Sequence, residues 1–102
     1  MIARTWRGWT SAADADPYAD YVNETGVAGL AGTEGNRGVY MLRRIDGDRA
    51  EFIVLSFWDS VDAIKAFAGD DVEKAVFYPE DDDFLVEREW TCVHYEVPVA
   101  SR

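Results

Sequence analysis

The sequence predicts an α+β fold of order βαββαβ, a four-stranded antiparallel sheet with helices on one face. Three observations carry that expectation: near-alternating apolar segments at the two ends of the chain, an apolar hairpin in its middle, and amphipathic stretches of helical spacing between them. At 102 residues there is room for one core, so residues 1–102 are expected to form a single domain. With 48% hydrophobic and 14% aromatic residues the chain is too apolar to remain disordered, despite a formal net charge of -10.

Ile2 to Thr10, with Ile, Thr and Trp in near alternation with Arg, reads as the first strand. Asp16 before Pro17 predicts a helix start: a carboxylate accepts orphan amide hydrogens, and proline lacks the amide that would go unpaired. Tyr18, Tyr21 and Val22 then give one apolar helical face, and Gly26 offers a stop or a break. Gly29 to Gly38 holds several glycines and no period, which predicts a loop. Val39 to Ile45 and Ala50 to Trp58 follow as a hairpin around Asp46 and Gly47. The second of these strands is apolar at successive positions and is expected to be covered on both faces.

Asp59 or Ser60 caps the next expected helix, with Val61, Ile64 and Phe67 along one side. Gly69 interrupts it. Asp70 or Asp71 is expected to cap a further turn carrying Val72, Val76 and Phe77, which Pro79 ends, and Glu80 to Asp83 read as a solvated, helix-terminating turn. The last strand is expected from Leu85 to Val97. This is the ferredoxin-like order. Because its helices cover one face only, the second apolar face argues for a partner, and two such sheets facing each other would close an eight-stranded barrel.

Charge and cysteine content exclude several function classes. Twenty acids against ten bases, with the arginines scattered, repel phosphate backbones, so no nucleic-acid partner is expected. The single cysteine, Cys92, allows no internal disulfide, and no charged-then-apolar leader or long apolar run is present, so a cytoplasmic protein with no membrane association is expected. The run of acids from Glu80 lacks the spacing and bend glycine of a calcium loop, and no metal site is expected.

"MIARTWRG", "FIVLSFWDSVDAIKAFAGDDVEKA", "FYPEDDDF" and "VHYEV" together resemble the antibiotic biosynthesis monooxygenase family of the dimeric alpha-beta barrel superfamily. The likeness spans nearly the whole chain, and the middle block, an apolar strand running into Trp-Asp-Ser and an interrupted helix, is its most specific part. It implies a homodimer with a pocket in each subunit between sheet and helices. Family members use such pockets for cofactor-free oxygenation of polycyclic phenols, for haem breakdown or for other small-molecule chemistry. Haem-degrading relatives carry a tryptophan late in the helix, an iron-binding histidine two or three turns on and an asparagine on the first strand. Phe67, Val76 or Phe77, and Trp6 or Arg7 stand in those places here, so the resemblance does not extend to haem degradation.

The candidate chemistry is therefore that of a small aromatic or hydrophobic molecule handled without a cofactor. His94 is the only histidine and the candidate catalytic base, or else a histidine satisfied by a neighbouring strand or the dimer partner. Trp6 and Trp58 are candidate aromatic walls of a substrate pocket or parts of the core. Tyr40 and Tyr78 are candidate orienting hydroxyls, while Ile64 and Phe67 would roof any cavity over the sheet. Alternation puts Arg4 on one strand face with Trp6 and places Arg7 on the other with Trp9. Arg4, Arg43 or Arg44, if turned inward, would stabilise a substrate oxyanion.

Overall fold

Strand β1, Ile2–Ser11, runs through the sheet with β3 along one side and the last part of the chain along the other. The structure, a computed structural model, describes residues 1–101. Among these the antiparallel sheet has the order β2-β3-β1-β4, where β2 is Asn36–Asp46, β3 is Arg49–Trp58 and β4 is Leu85–Arg88; β5, Val93–Glu96, also pairs with β1. The expected order is present, but the fourth strand arrives in two pieces. Paired residues share a face, so the register of Arg4 opposite Ser56 and His94 puts all three on the side that the helices cover.

The first helix begins earlier than Asp16. A 3-10 turn at Ala12–Asp14 leads directly into α1, Ala15–Val22, leaving Pro17 in the first turn where its missing amide is tolerated. Asp16 instead accepts from Arg43 Nη1 at 2.7 Å. Gly26 does not stop the helix. The coil widens into a π turn at Asn23–Val27 and resumes as α2, Ala28–Ala31, shortening the expected loop. Thr25 donates its hydroxyl to the Tyr21 carbonyl at 2.8 Å, the type of back-bond that competes with regular helix pairing.

Helix α3, Val61–Ala68, starts where expected: Ser60 accepts from the Ala63 amide at 3.2 Å. It ends at Gly69, whose φ of +87° suits glycine best. Of the further turn expected after Asp70 only its start forms: Asp71 Oδ1 accepts from the Glu73 amide at 3.2 Å and the Asp71 carbonyl from the Lys74 amide at 3.2 Å, and no helix runs on to Val76 and Phe77. From Lys74, which bridges to Thr91, the chain pairs with the gap in the last strand: the Ala75 amide donates to the Trp90 carbonyl at 3.1 Å and the Cys92 amide to the Glu73 carbonyl at 2.7 Å. The two departures have one cause. Where the last strand leaves β1, its backbone groups find partners on this segment, and that pairing overrides the helical spacing of Val72 and Val76.

The acids after Pro79 also differ from a solvated turn. Asp81–Phe84 form a single helical turn, α4, in which Asp82 and Asp83 are exposed but Asp81 is 5% exposed. Asp81 accepts the Tyr18 hydroxyl at 3.0 Å and the Tyr78 amide at 2.7 Å, locking the turn to α1. Two apolar clusters lie between helices and sheet: Tyr18, Val22 and Phe52 in one, Leu30, Trp58 and Ile64 in the other. Val54 packs against both, and a cavity opens beside it.

Candidate functional site

The strand face that points to the helices supplies the cavity floor: Arg4 and Trp6 from β1, Val54 and Ser56 from β3. Their alternation with outward residues is the period-2 pattern of the sequence made physical. The π turn contributes Thr25 and Gly26, α3 contributes Phe67, and the extended segment contributes Ala75 to Tyr78, so the segment that failed to become helix forms a wall. The cavity itself is about 70 Å³, widening to about 580 Å³ when the solvent-filled mouth is counted. Its lining is mainly apolar and aromatic with a few polar groups, as in small-molecule sites generally.

Trp6 is fixed at both ends. Its indole N–H donates to the Glu89 carbonyl at 2.7 Å, and its ring covers Gly8, where an added Cβ would come within 2.4 Å of it. The ring meets Phe77 edge-on with centroids 5.9 Å apart, Phe77 meets Trp90 at 5.3 Å, and the Arg88 guanidinium lies 4.7 Å from both of those rings. Across the cavity, Tyr78 places its hydroxyl where a Cβ on Gly29 would be 2.8 Å away. Burial and the nearby Asp81 raise the pKa of both Tyr78 and Tyr18, keeping these phenols protonated at neutrality.

Arg4 is the charged group of this floor, and it is 4% exposed. Its Nη1 bonds to the Val72 carbonyl and lies 2.9 Å from His94 Nε2; its Nη2 donates to the Lys74 carbonyl at 3.3 Å. Since arginine can only donate, His94 Nε2 is the acceptor, and neutral His94 carries its proton on Nδ1. Burial first, and the Arg4 charge second, push the His94 pKa below 6.5, against a smaller upward pull from Glu73. Burial likewise raises the Cys92 thiol, which the Arg4 charge partly offsets.

The residues expected from sequence divide into three groups. Trp6, Phe67 and Tyr78 line the cavity. Trp58 and Ile64 are wholly buried beside it in the core, with the Trp58 indole donating to Ser56 Oγ at 2.9 Å. Tyr40 stands on the opposite sheet face, 59% exposed and edge-on to Phe57, while His94 reaches the cavity wall only through Arg4. Of the three arginines considered, Arg4 alone turns inward; Arg43 pairs with Asp16 and Arg44 with Glu51. Tyr18, Ser56, Asp81 and Cys92 also line the cavity. Ser56 was signalled by its even register with Val54, whereas nothing in the run of acids separates Asp81 from its neighbours. Among the described residues no three His, Cys, Asp or Glu side chains gather as a metal site.

No protein-family model matches the chain, and no curated protein matches it in sequence. Solved structures do. An antibiotic biosynthesis monooxygenase candidate from Bacillus cereus superposes with a TM-score of 0.70 at 15% identity, covering 99% of this chain and 96% of the other. The chain has the fold of the antibiotic biosynthesis monooxygenase proteins. A second protein of that description, from Chloroflexus aurantiacus, aligns over 99% of this chain and 95% of its own with a TM-score of 0.57 and 15% identity. MhuD, a heme-degrader from Mycobacterium tuberculosis solved with two hemes in its active site, covers 100% of both chains with a TM-score of 0.62 and 17% identity. Among the described residues of this monooxygenase-type fold, no helix is long and apolar enough to cross a membrane.

Proposed function

We propose that the chain is a cytoplasmic homodimeric enzyme, monooxygenase-like and without a tightly bound cofactor, that takes an aromatic or polyketide-like small molecule into the cavity between sheet and helices. The observation that carries this reading is the cavity itself: Trp6, Phe67, Phe77, Tyr18 and Tyr78 surround an open space in a fold shared with monooxygenase-type proteins. Flat aromatic walls hold a flat ligand by stacking, and the tyrosine and serine hydroxyls orient its oxygens. The opposite face supports the homodimer part of this reading: Tyr40, Leu42, Val93 and Tyr95 are exposed there around the half-buried Ile53, Leu55 and Phe57.

The chemistry needs a base and an acidic carbon. His94 is the base of this reading: neutral at pH 7, it is hydrogen-bonded to the floor arginine through Nε2, and it takes up the proton at that lone pair once it parts from Arg4. The resulting carbanion passes one electron to dioxygen and the two radicals recombine to a peroxide anion, which takes back the proton to become a hydroperoxide and then loses water. An activated CH₂ and O₂ thus become C=O and H₂O. Haem breakdown, as in MhuD, fits these residues poorly. Val76 and Phe77 occupy the wall where the resemblance places an iron-binding histidine, and neither ligates iron.

Oxygen uptake with a panel of anthrone-type phenols tests the reading. Uptake is expected with the wild-type protein and a fall of about 10²-fold or more with His94→Ala. Uptake unchanged in His94→Ala removes the base role. Tight ligand binding with no uptake makes the chain a non-catalytic module that shelters a hydrophobic molecule.

A further inference from the structure

The buried arginine at the cavity floor is unlike every other arginine that pairs in this protein. Arg7, Arg37, Arg43, Arg44, Arg49 and Arg88 each lie against a carboxylate, as expected in a chain with twice as many acids as bases. Arg4, the most buried of them, has no such partner among the described residues. Its three hydrogen bonds go to two carbonyls and a neutral imidazole, which leaves the positive charge uncompensated. A buried ion without a counter-ion is costly, and guanidinium does not escape the cost by losing its proton at neutral pH.

The donor count sharpens the point. Guanidinium has five N–H groups. Both on Nη1 and one on Nη2 are engaged by Val72, His94 and Lys74, leaving Nε–H and the second Nη2–H. Nε and Nη2 flank one edge of the planar group, the edge that takes two oxygens of an oxyanion side by side. His94, Val72 and Lys74 hold the plane in place, so little side-chain entropy remains to be lost when a ligand binds. The surrounding wall, with Trp6 on the same strand face and Phe77 against it, is aromatic.

We infer that Arg4 is the recognition site for a negative oxygen, so that the ligand of this cavity is an aromatic molecule bearing a carboxylate or an ionised enol rather than a neutral hydrocarbon. The inference rests on the cavity being a small-molecule site, as proposed above. The ligand's anion supplies the counter-charge that the chain withholds, and the aromatic body fills the space against Trp6 and Phe67. His94 is then a positioning residue for Arg4 before it is anything else.

Two pairs of probes, each matched in shape and differing in charge, test this by isothermal titration calorimetry at pH 7: 2-naphthoate against 2-naphthamide for the carboxylate, and 2-hydroxy-1,4-naphthoquinone, ionised at this pH, against its 2-methoxy ether for the enolate. The anionic member of at least one pair is expected to bind about tenfold or more tightly than its neutral partner, and the pair with the larger ratio identifies the oxyanion. Arg4→Gln should abolish the ratio while moving the neutral probe's Kd less than about twofold, and Arg4→Lys should keep part of it. Should Arg4→Gln fail to fold, the wild-type ratio and Arg4→Lys still decide. Equal binding within both pairs overturns the anion site and leaves the cavity standing; binding of none of the four overturns both. A ratio unchanged in Arg4→Gln also sinks the assignment.

Discussion

On the open face of the sheet, Arg7 and Arg44 converge on the one carboxylate of Glu51, which is 6% exposed, and both arginines stay partly in solvent. On the helix-covered face, Arg4 is buried and, among the described residues, pairs with no acid. The Arg44 hydrogen bond, and Arg7 after it, hold the Glu51 pKa down, so the charge there is settled within the chain. The difference separates two kinds of burial. The open face carries a neutralised group amid exposed apolar side chains, as suits contact with another protein surface, whereas the covered face keeps a bare cation beside a space.

Three changes break or sharpen that contrast. The largest effect is expected on the covered face: Trp58→Ala removes a side chain that is 0% exposed between Leu30 and Ile64, and should cost about 3–5 kcal/mol in denaturant unfolding. A loss below about 1 kcal/mol would mean that this side of the sheet is not the folding core. Next comes the open face. Leu55→Glu puts a charge between Thr5 and Tyr40 in the register, and sedimentation should show the wild-type pair replaced by single chains with an unchanged far-UV spectrum, the association weakened about thirtyfold or more. A wild-type chain that sediments alone at micromolar concentration would remove the partner from the open face.

The smallest effect is a titration. As the only histidine, His94 gives isolated ring signals in proton NMR, and its pKa should lie below 6.5 and move up in Arg4→Gln as the neighbouring charge is lost. The sign for stability follows: a histidine whose folded pKa is depressed contributes stability that is complete above about pH 6.5 and is lost as the pH falls through the folded value. A pKa that does not move in Arg4→Gln would mean that Arg4 does not face the imidazole.

Much of the fold was legible because local patterns and pairing agreed. The hairpin of β2 and β3, the Ser60 cap and the Gly69 stop are each written in adjacent residues, and each is found. The misreadings fall where a local pattern met a distant competitor. Val72, Val76 and Phe77 have spacing that suits a helix turn, but the Glu73 carbonyl and the Ala75 amide are taken by the break in the last strand. Asp81 looks like its acidic neighbours until Tyr18, 63 residues earlier in the chain, donates to it.

The site was half legible for the same reason. Trp6, Phe67 and Tyr78 could be proposed from their elements, and period-2 alternation already put Arg4 with Trp6. That Tyr40 faces away and that Trp58 fills core rather than cavity depended on which face of a doubly apolar strand the helices cover.

Sequence by itself determined the order of elements, the twin apolar faces of the sheet and the excess of acid, because spacing along a chain dictates which side chains share a face. Only the tertiary structure decided that Arg4, among the described residues, goes without an acidic partner while its neighbours in the strands do not. Charge pairing depends on distances through space, and twenty acids in a sequence say nothing of which cation they leave alone.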